Sequence, residues 1–468
     1  MLNRRNFLKN SLAAGAAAFT GVKVNAETDA RSMQTPQQAT FHVPPRRGKS
    51  VMDLRCKPLP IVRIGVVGLG RGHGAVASFS QIEGTEVVAI CDLNQDRVAR
   101  SQEALKKHGR KEAVVYTKEE DWKKMCERDD IDLIYNATPW NFHVPIALYA
   151  MDHGKHVAIE VPAALTVADC WALVDKAEEK QLHCMMLENC CYDFFEMATL
   201  NMARQGVFGE IIHGEGAYIH DLRGSKYNGY YKHWRLEYSK YHTGNPYPTH
   251  GLGPVAQIMG INRGDRMQQL SSVSTNQYGL KLWAKNNLKD DERITQSERY
   301  KLGDMNTTII RTEMGKSIMI QHDTTSPRPY SRIHLIQGTE GMAVKYPDEK
   351  IALQIEGKGE SFLDKEKQAQ MMKQYEHPLS RYIGEKARKV GGHGGMDFIM
   401  MWRLAYCLQK GYPLDQSVYD GAAWSSLVEL TEWSVLNNQS VAIPDFTRGA
   451  WRDYNPIPVI DMEKVLHL

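Results

Sequence analysis

The chain has 468 residues, too many for one ordinary domain and comfortable for two. Apolar residues make up 42% and charged residues 24%, a soluble globular composition. The net charge of +3 is small for this length, so composition gives no argument for nucleic acid or an anionic membrane as partner.

Asn3-Arg4-Arg5-Asn6 precedes an apolar, Ala-rich run from Ser11 to Val22, and Val24-Asn25-Ala26 offers small residues for cleavage. Paired arginines before a mildly apolar segment resemble a twin-arginine export signal over residues 1–26. The run is too short to span a bilayer, and no later stretch is long and apolar enough. The expected location is the periplasm or the exterior. This route exports folded proteins, which suits a chain that takes up a nucleotide before it leaves the cytoplasm. Folding in a reducing compartment also argues against a disulfide framework among the eight scattered cysteines. No cysteine spacing reads as a zinc site, and no metal is expected.

Residues 27–59 are polar and aperiodic, a leader that wraps or links to the body. From Pro60 apolar runs alternate with amphipathic segments, the pattern of a parallel sheet wrapped by helices. Strands are predicted at 61–67, 86–91, 113–116, 132–136, 156–160 and 183–187. Helices are predicted between them, the last opened by Thr166 and Asp169 at a capping box. The predicted fold class is α/β. A doubly wound Rossmann sheet occupies residues 60–190, and an α+β domain with a large open, mainly antiparallel sheet occupies 191–468. In the second domain a helix is expected at 195–205. Strands follow at 211–220, 307–314, 317–324, 332–338 and 351–356, then helices at 398–409 and 419–436.

The turn Gly68-Leu-Gly70-Arg71-Gly72, between the first strand and helix, suits backbone N–H groups approaching a pyrophosphate. His73 stands where the third fingerprint glycine is usual. Asp92 ends the second strand, where a carboxylate binds both ribose hydroxyls and repels the extra phosphate of NADP. NAD is therefore the expected cofactor. Trp140 and His143, in Thr138-Pro-Trp-Asn-Phe-His143, fall at a strand end where ligands sit; they flank ribose or nicotinamide, or serve helix entry and core packing. Glu160 and Asn189 end the next two strands on the same edge. Glu160 needs a partner there, either a ligand hydroxyl or a structural ion pair.

This order of motifs resembles the glucose–fructose oxidoreductase and inositol dehydrogenase superfamily. There a sugar dehydrogenase would carry Glu-Lys-Pro where this chain reads Glu160-Val161-Pro162. Three further motifs, Leu187-Glu-Asn-Cys-Cys-Tyr192, Tyr247-Pro-Thr-His-Gly-Leu-Gly-Pro254 and Gly391-Gly-His-Gly-Gly-Met-Asp397, resemble glycoside hydrolase family 109. That resemblance implies an NAD-using α-N-acetylgalactosaminidase acting on a glycan with terminal N-acetylgalactosamine. It implies cofactor positions at Arg71, Gly72, Asp92, Trp140, Asn141, Phe142, His143, Glu160, Val161 and Asn189. It implies substrate positions at Tyr218, Arg235, Tyr247, Pro248, Thr249, His250 and Tyr330. Without it, Tyr218, Tyr330 and Arg235 read as core, interface or paired residues. The superfamily's use of the open sheet as a subunit interface allows a homodimer.

The implied chemistry is an exception to the two-carboxylate glycosidase pattern. NAD removes hydride from C3 of the sugar and a base takes the 3-OH proton. The ketone acidifies C2–H, a second base removes that proton, and the aglycone leaves C1. Water then adds, and the hydride returns. His250 is the expected 3-OH base, with Tyr247 sharing the proton. Tyr192 is the expected C2 base, and Glu160 orients a hydroxyl. The competing readings are a sugar dehydrogenase that releases NADH, which Val161 in place of lysine opposes, and a non-catalytic sugar-binding module.

Overall fold

The computed structural model describes residues 41–228, 234–288, 300–354 and 359–459. The expected export signal and the first part of the leader lie outside the described residues. The first sheet is made of β1 (Val62–Val67), β2 (Thr85–Cys91), β3 (Val114–Tyr116), β4 (Leu133–Asn136), β5 (His156–Ile159) and β6 (Cys184–Met186). All pairings are parallel, in the order β3-β2-β1-β4-β5-β6. Helices cover both faces, so β4, β5 and β6 are buried along their whole length and, apart from Asn136 and His156 at their ends, read as apolar runs. The strand order reverses between β1 and β4, and the crevice outside their carboxyl ends is where such sheets bind ligands.

The second sheet has eight strands: β7 (Ile211–Ile219), β8 (Met267–Ser274), β9 (Asn306–Thr312), β10 (Ser317–Asp323), β11 (Leu335–Gly338), β12 (Gly341–Val344), β13 (Lys350–Leu353) and β14 (Val441–Ala442). Their order is β13-β12-β11-β7-β10-β9-β8-β14, antiparallel except for the β7–β10 pair. The helix Thr249–Met259 lies directly on β7. A Cβ on Gly216 of the strand would stand 2.2 Å from the Gly251 carbonyl oxygen, so only glycines allow this approach. The contact brings the start of that helix, with Tyr247 and His250, beside Tyr218 of β7.

Three predicted elements need correction. The expected helix 419–436 is two, Val418–Ser425 and Leu427–Asn437. At the break, the Ser426 hydroxyl donates back to the Ala423 carbonyl at 2.8 Å, a bond that bends helices. The expected strand 332–338 starts only at Leu335, because Ile333 and His334 adopt positive φ of 58° and 47°. The stretch 351–356 pairs through Leu353, and its last two positions lie outside the described residues. Helices Arg223–Asn228 and Arg235–Tyr241 occupy an aromatic-rich stretch with no clear period.

Residues 41–59 run along the body. Arg46 pairs with Glu178 at 2.7 Å, and Arg448 from the far end of the chain pairs with the same carboxylate at 3.0 Å. The Tyr419 hydroxyl donates to Glu178 at 2.6 Å. All eight cysteines are unpaired, and Cys190 and Cys191 are buried. Among the described residues no helix is long and apolar enough to cross a membrane.

Candidate active site

The glycine turn is locally determined. Gly68 has φ +85°, and a Cβ there would meet the Ala137 carbonyl oxygen at 2.5 Å, so the turn packs against the end of β4. The Gly68 amide donates to the Cys91 carbonyl at the end of β2. Asp92, next in the chain, accepts from Leu69 N at 2.7 Å and Asn94 N at 2.8 Å, with Arg97 at 3.5 Å. A narrow glycine-rich turn opens onto the helix Gly72–Phe79, and a fixed carboxylate stands beside it. This donor set fits a dinucleotide: backbone N–H groups for the phosphates and Asp92 for ribose hydroxyls. Gly68, Gly70, Gly72 and Asp92 form this end of the crevice.

The other end is a cavity of about 130 Å³ between the two domains. Arg71, Trp140, His143, Glu160, Val161 and Asn189 line its Rossmann side, and Tyr218, Arg235, Tyr247 and His250 line the other. Trp234 and His393, which the sequence reading did not single out, complete it together with Ala137 and Thr138. The aromatic rings interlock. Tyr247 lies 4.9 Å from His250 and 4.7 Å from Tyr218, centroid to centroid, and Arg235 stacks 4.7 Å over Tyr247 and 5.1 Å over Trp140. Trp140 donates to the Val161 carbonyl at 3.2 Å.

His143 lines the cavity, and both of its ring nitrogens meet backbone carbonyls, Pro162 at 2.8 Å and Thr138 at 2.9 Å. It therefore ties the Glu160-Val161-Pro162 turn to the end of β4, and burial pushes its pKa down. Glu160 has protein partners: the Tyr135 hydroxyl at 3.3 Å and Arg71 Nε at 3.4 Å. Glu160 thus has an ion-pair partner and also lines the cavity.

Arg71 also donates to Asp397 at 2.9 Å, and Asn189 donates to the other Asp397 oxygen at 2.6 Å. His393 Nδ1 approaches Asp397 at 2.8 Å. Burial would raise the Asp397 carboxyl, but the bond from His393 and the charge of Arg71 hold it well below the usual carboxylate range. The loop Gly391–Gly395 is thus fastened to the glycine turn. The motif spacing in the sequence flagged this loop without revealing the partner of Asp397. His250 Nδ1 lies 2.7 Å from Glu188 Oε1, and the Glu188 side chain is wholly buried. Burial raises Glu188, yet His250 outweighs it and the carboxyl stays lowered.

Several of the expected site residues lie outside the cavity lining. Tyr192 does not line the cavity: it is buried, and its hydroxyl donates to Asp415, which is also paired with Arg403. Burial beside Asp415 raises its pKa well above the ordinary value, so as placed here it is turned away from the cavity and held protonated. Asn141 and Phe142 are exposed and outside the cavity lining. Pro248 precedes the helix and Thr249 is fully buried, so of the Tyr247–His250 run only the two rings face the cavity. Tyr330 lies outside the lining, 5.1 Å edge-on from His220, with its hydroxyl accepting from Arg332.

Comparison with known proteins agrees with this layout. Residues 62–188 match the NAD-binding Rossmann fold of an oxidoreductase family, and residues 192–453 match the C-terminal domain of glycosyl hydrolase 109. An alpha-N-acetylgalactosaminidase of Bacteroides fragilis is 50% identical over 427 residues, covering 90% of this chain and 97% of that protein. A glycosyl hydrolase family 109 protein of Phocaeicola vulgatus is 52% identical over 416 residues, covering 86% and 99%. In fold, the chain is similar to a levoglucosan dehydrogenase in complex with NADH and levoglucosan, with a TM-score of 0.63, 19% identity, and coverage of 82% of this chain and 99% of that one. With one NAD-binding Rossmann domain and a family-specific C-terminal domain meeting at a shared cavity, the chain belongs to glycosyl hydrolase family 109.

Proposed function

We propose that the chain hydrolyses terminal α-linked N-acetylgalactosamine with NAD as a recycled cofactor and no net redox change. The observation that carries this reading is the shared cavity. Glu160, Val161 and Asn189 of the cofactor side face Tyr218, Arg235, Tyr247 and His250 across about 130 Å³. The relative named above as an alpha-N-acetylgalactosaminidase supports the substrate class. When bound, the dinucleotide supplies reversible hydride acceptance at a sugar carbon, which acidifies the neighbouring C–H.

Asp92 and the Gly68–Gly72 turn hold that cofactor, and Asp92 selects NAD by repelling a 2′-phosphate. Arg235, stacked on Trp140 and Tyr247, closes one wall against water. His250 takes the hydroxyl proton and returns it. Tyr218 and Tyr247 are the phenols lining the cavity among the described residues, and they replace Tyr192 as candidates for the second proton. Val161 puts an apolar wall where a dehydrogenase of this superfamily would place an ammonium. The natural substrate is a glycan or glycoconjugate met outside the cytoplasm, after export through the segment 1–26. The open second sheet is the surface proposed for a homodimer.

The test is the purified chain with a chromogenic α-N-acetylgalactosaminide, with bound nucleotide identified after denaturation. Cleavage without NADH accumulation, lost on stripping the nucleotide and restored by NAD, is the expected result. An undiminished rate in nucleotide-free protein refutes it. Steady NADH release on free sugar favours a dehydrogenase.

A further inference from the structure

We infer that Glu188 is the positioning residue for His250: it fixes the proton on Nδ1 and so reserves Nε2 as the base. This rests on the proposed use of His250. The carboxylate follows β6 directly. Its Oε1 accepts from the Cys190 amide at 3.1 Å while facing His250 Nδ1 at 2.7 Å. The local turn thus sets the position of the carboxylate before the imidazole meets it. Glu188 is fully buried and stays lowered in pKa, so it presents a carboxylate, which can only accept. Nδ1 must then carry the proton, and the remaining lone pair sits on Nε2 of a ring that lines the cavity.

When the sugar O–H breaks, its proton bonds to Nε2 and the electron pair stays on oxygen. The positive charge that appears on the ring stands against the Glu188 carboxylate. The same contact therefore orients the ring and faces the charge that it gains. The other titratable groups facing the ring are Tyr218 from β7, Tyr247 from its own turn and Cys190. His220 and Arg235 stand beyond them.

Glu188, Cys190 and His250 also lie close enough together to suggest a metal site. The geometry opposes it. The 2.7 Å separation of Nδ1 and Oε1 is a hydrogen-bond distance. Two ligands of one tetrahedral zinc stand about 3.3 Å apart.

The experiment uses nucleotide-loaded protein labelled with ¹⁵N-histidine, with the His250 resonance assigned by its absence in His250→Gln. The expected wild-type spectrum has a protonated Nδ1 and an unprotonated Nε2. In Glu188→Gln that bias is lost and kcat falls about 10- to 100-fold, with KM within about threefold. Bound nucleotide per chain stays at the wild-type level. A wild-type proton on Nε2 overturns the inference even if Glu188→Gln fails to fold, and so does a folded Glu188→Gln that keeps both the wild-type tautomer and the wild-type kcat. A wild-type chain with the Nδ1 tautomer that cleaves no glycoside ends the hydrolase reading and leaves the Glu188–His250 geometry standing.

Discussion

Gly68→Ala isolates the role of the glycine turn. The position has φ +85°, which costs an alanine about 1–2 kcal/mol. The new methyl would also stand 2.5 Å from the Ala137 carbonyl oxygen and 2.7 Å from its carbon. That is about 0.9 Å short of ordinary contact, against backbone that cannot rotate aside. Overpacking of this kind adds about 1–3 kcal/mol, for a total of about 2–5 kcal/mol. Relief requires the end of β4 to move, and with it Thr138, whose carbonyl holds His143. A displacement near 1 Å there costs about 100-fold in rate. The assay is the unfolding midpoint, the dinucleotide retained per chain and the hydrolysis rate. The control is Gly74→Ala in the same turn-and-helix unit, where nothing lies within 4 Å of the added carbon. It should be neutral or stabilising by up to about 1 kcal/mol. A Gly68→Ala protein indistinguishable from Gly74→Ala would refute the reasoning.

Asp397→Asn should weaken the fastening between the Gly391–Gly395 loop and Arg71 by about 1–3 kcal/mol, read as a rise of about 5- to 150-fold in the dinucleotide dissociation constant. Tyr192→Phe should keep hydrolysis and solvent exchange at C2 within about twofold, with at most about 1 kcal/mol of stability lost from its bond to Asp415. Loss of exchange would return Tyr192 to the mechanism. His156 and His377 are pushed down by burial to about 4, and each accepts a backbone N–H at Nδ1, from His183 and Leu379. Their folded pKa values lie below the unfolded 6.5, so the unfolded chain binds the extra protons and stability falls as pH drops from 6.5 towards 4. Between pH 7 and pH 5 the loss is about 2 kcal/mol per imidazole, measurable as a falling unfolding midpoint. Substituting both by Gln should reduce that slope, with His183, His322 and His334, also lowered by burial, keeping the remainder.

The Rossmann half was legible because its strands are short, buried on both faces and punctuated by glycine and charge. Each expected strand lies within one or two residues of its place. Periodicity failed where side chains bond to backbone, as at Ser426, and where φ turns positive inside an apolar run, as at Ile333 and His334. At the site, residues at strand ends were legible, since Glu160, Val161 and Asn189 do line the cavity. Side-chain direction was not. Tyr192 follows Asn189 by three residues yet turns away to Asp415. Long-range pairing was invisible as well: Arg71 and Asp397 are 326 positions apart and touch at 2.9 Å. Glu188 stood inside a quoted motif, but only its partner His250, 62 positions on, gives it meaning.

The convergence of Arg46 and Arg448 on Glu178 limits how such chains recombine. A crossover that exchanged only the segment from β1 to β6 between relatives would import a buried carboxylate without the two arginines that neutralise it. In any recipient lacking those arginines, leader, nucleotide module and tail would have to be inherited together, so there the unit of exchange is larger than the unit of fold.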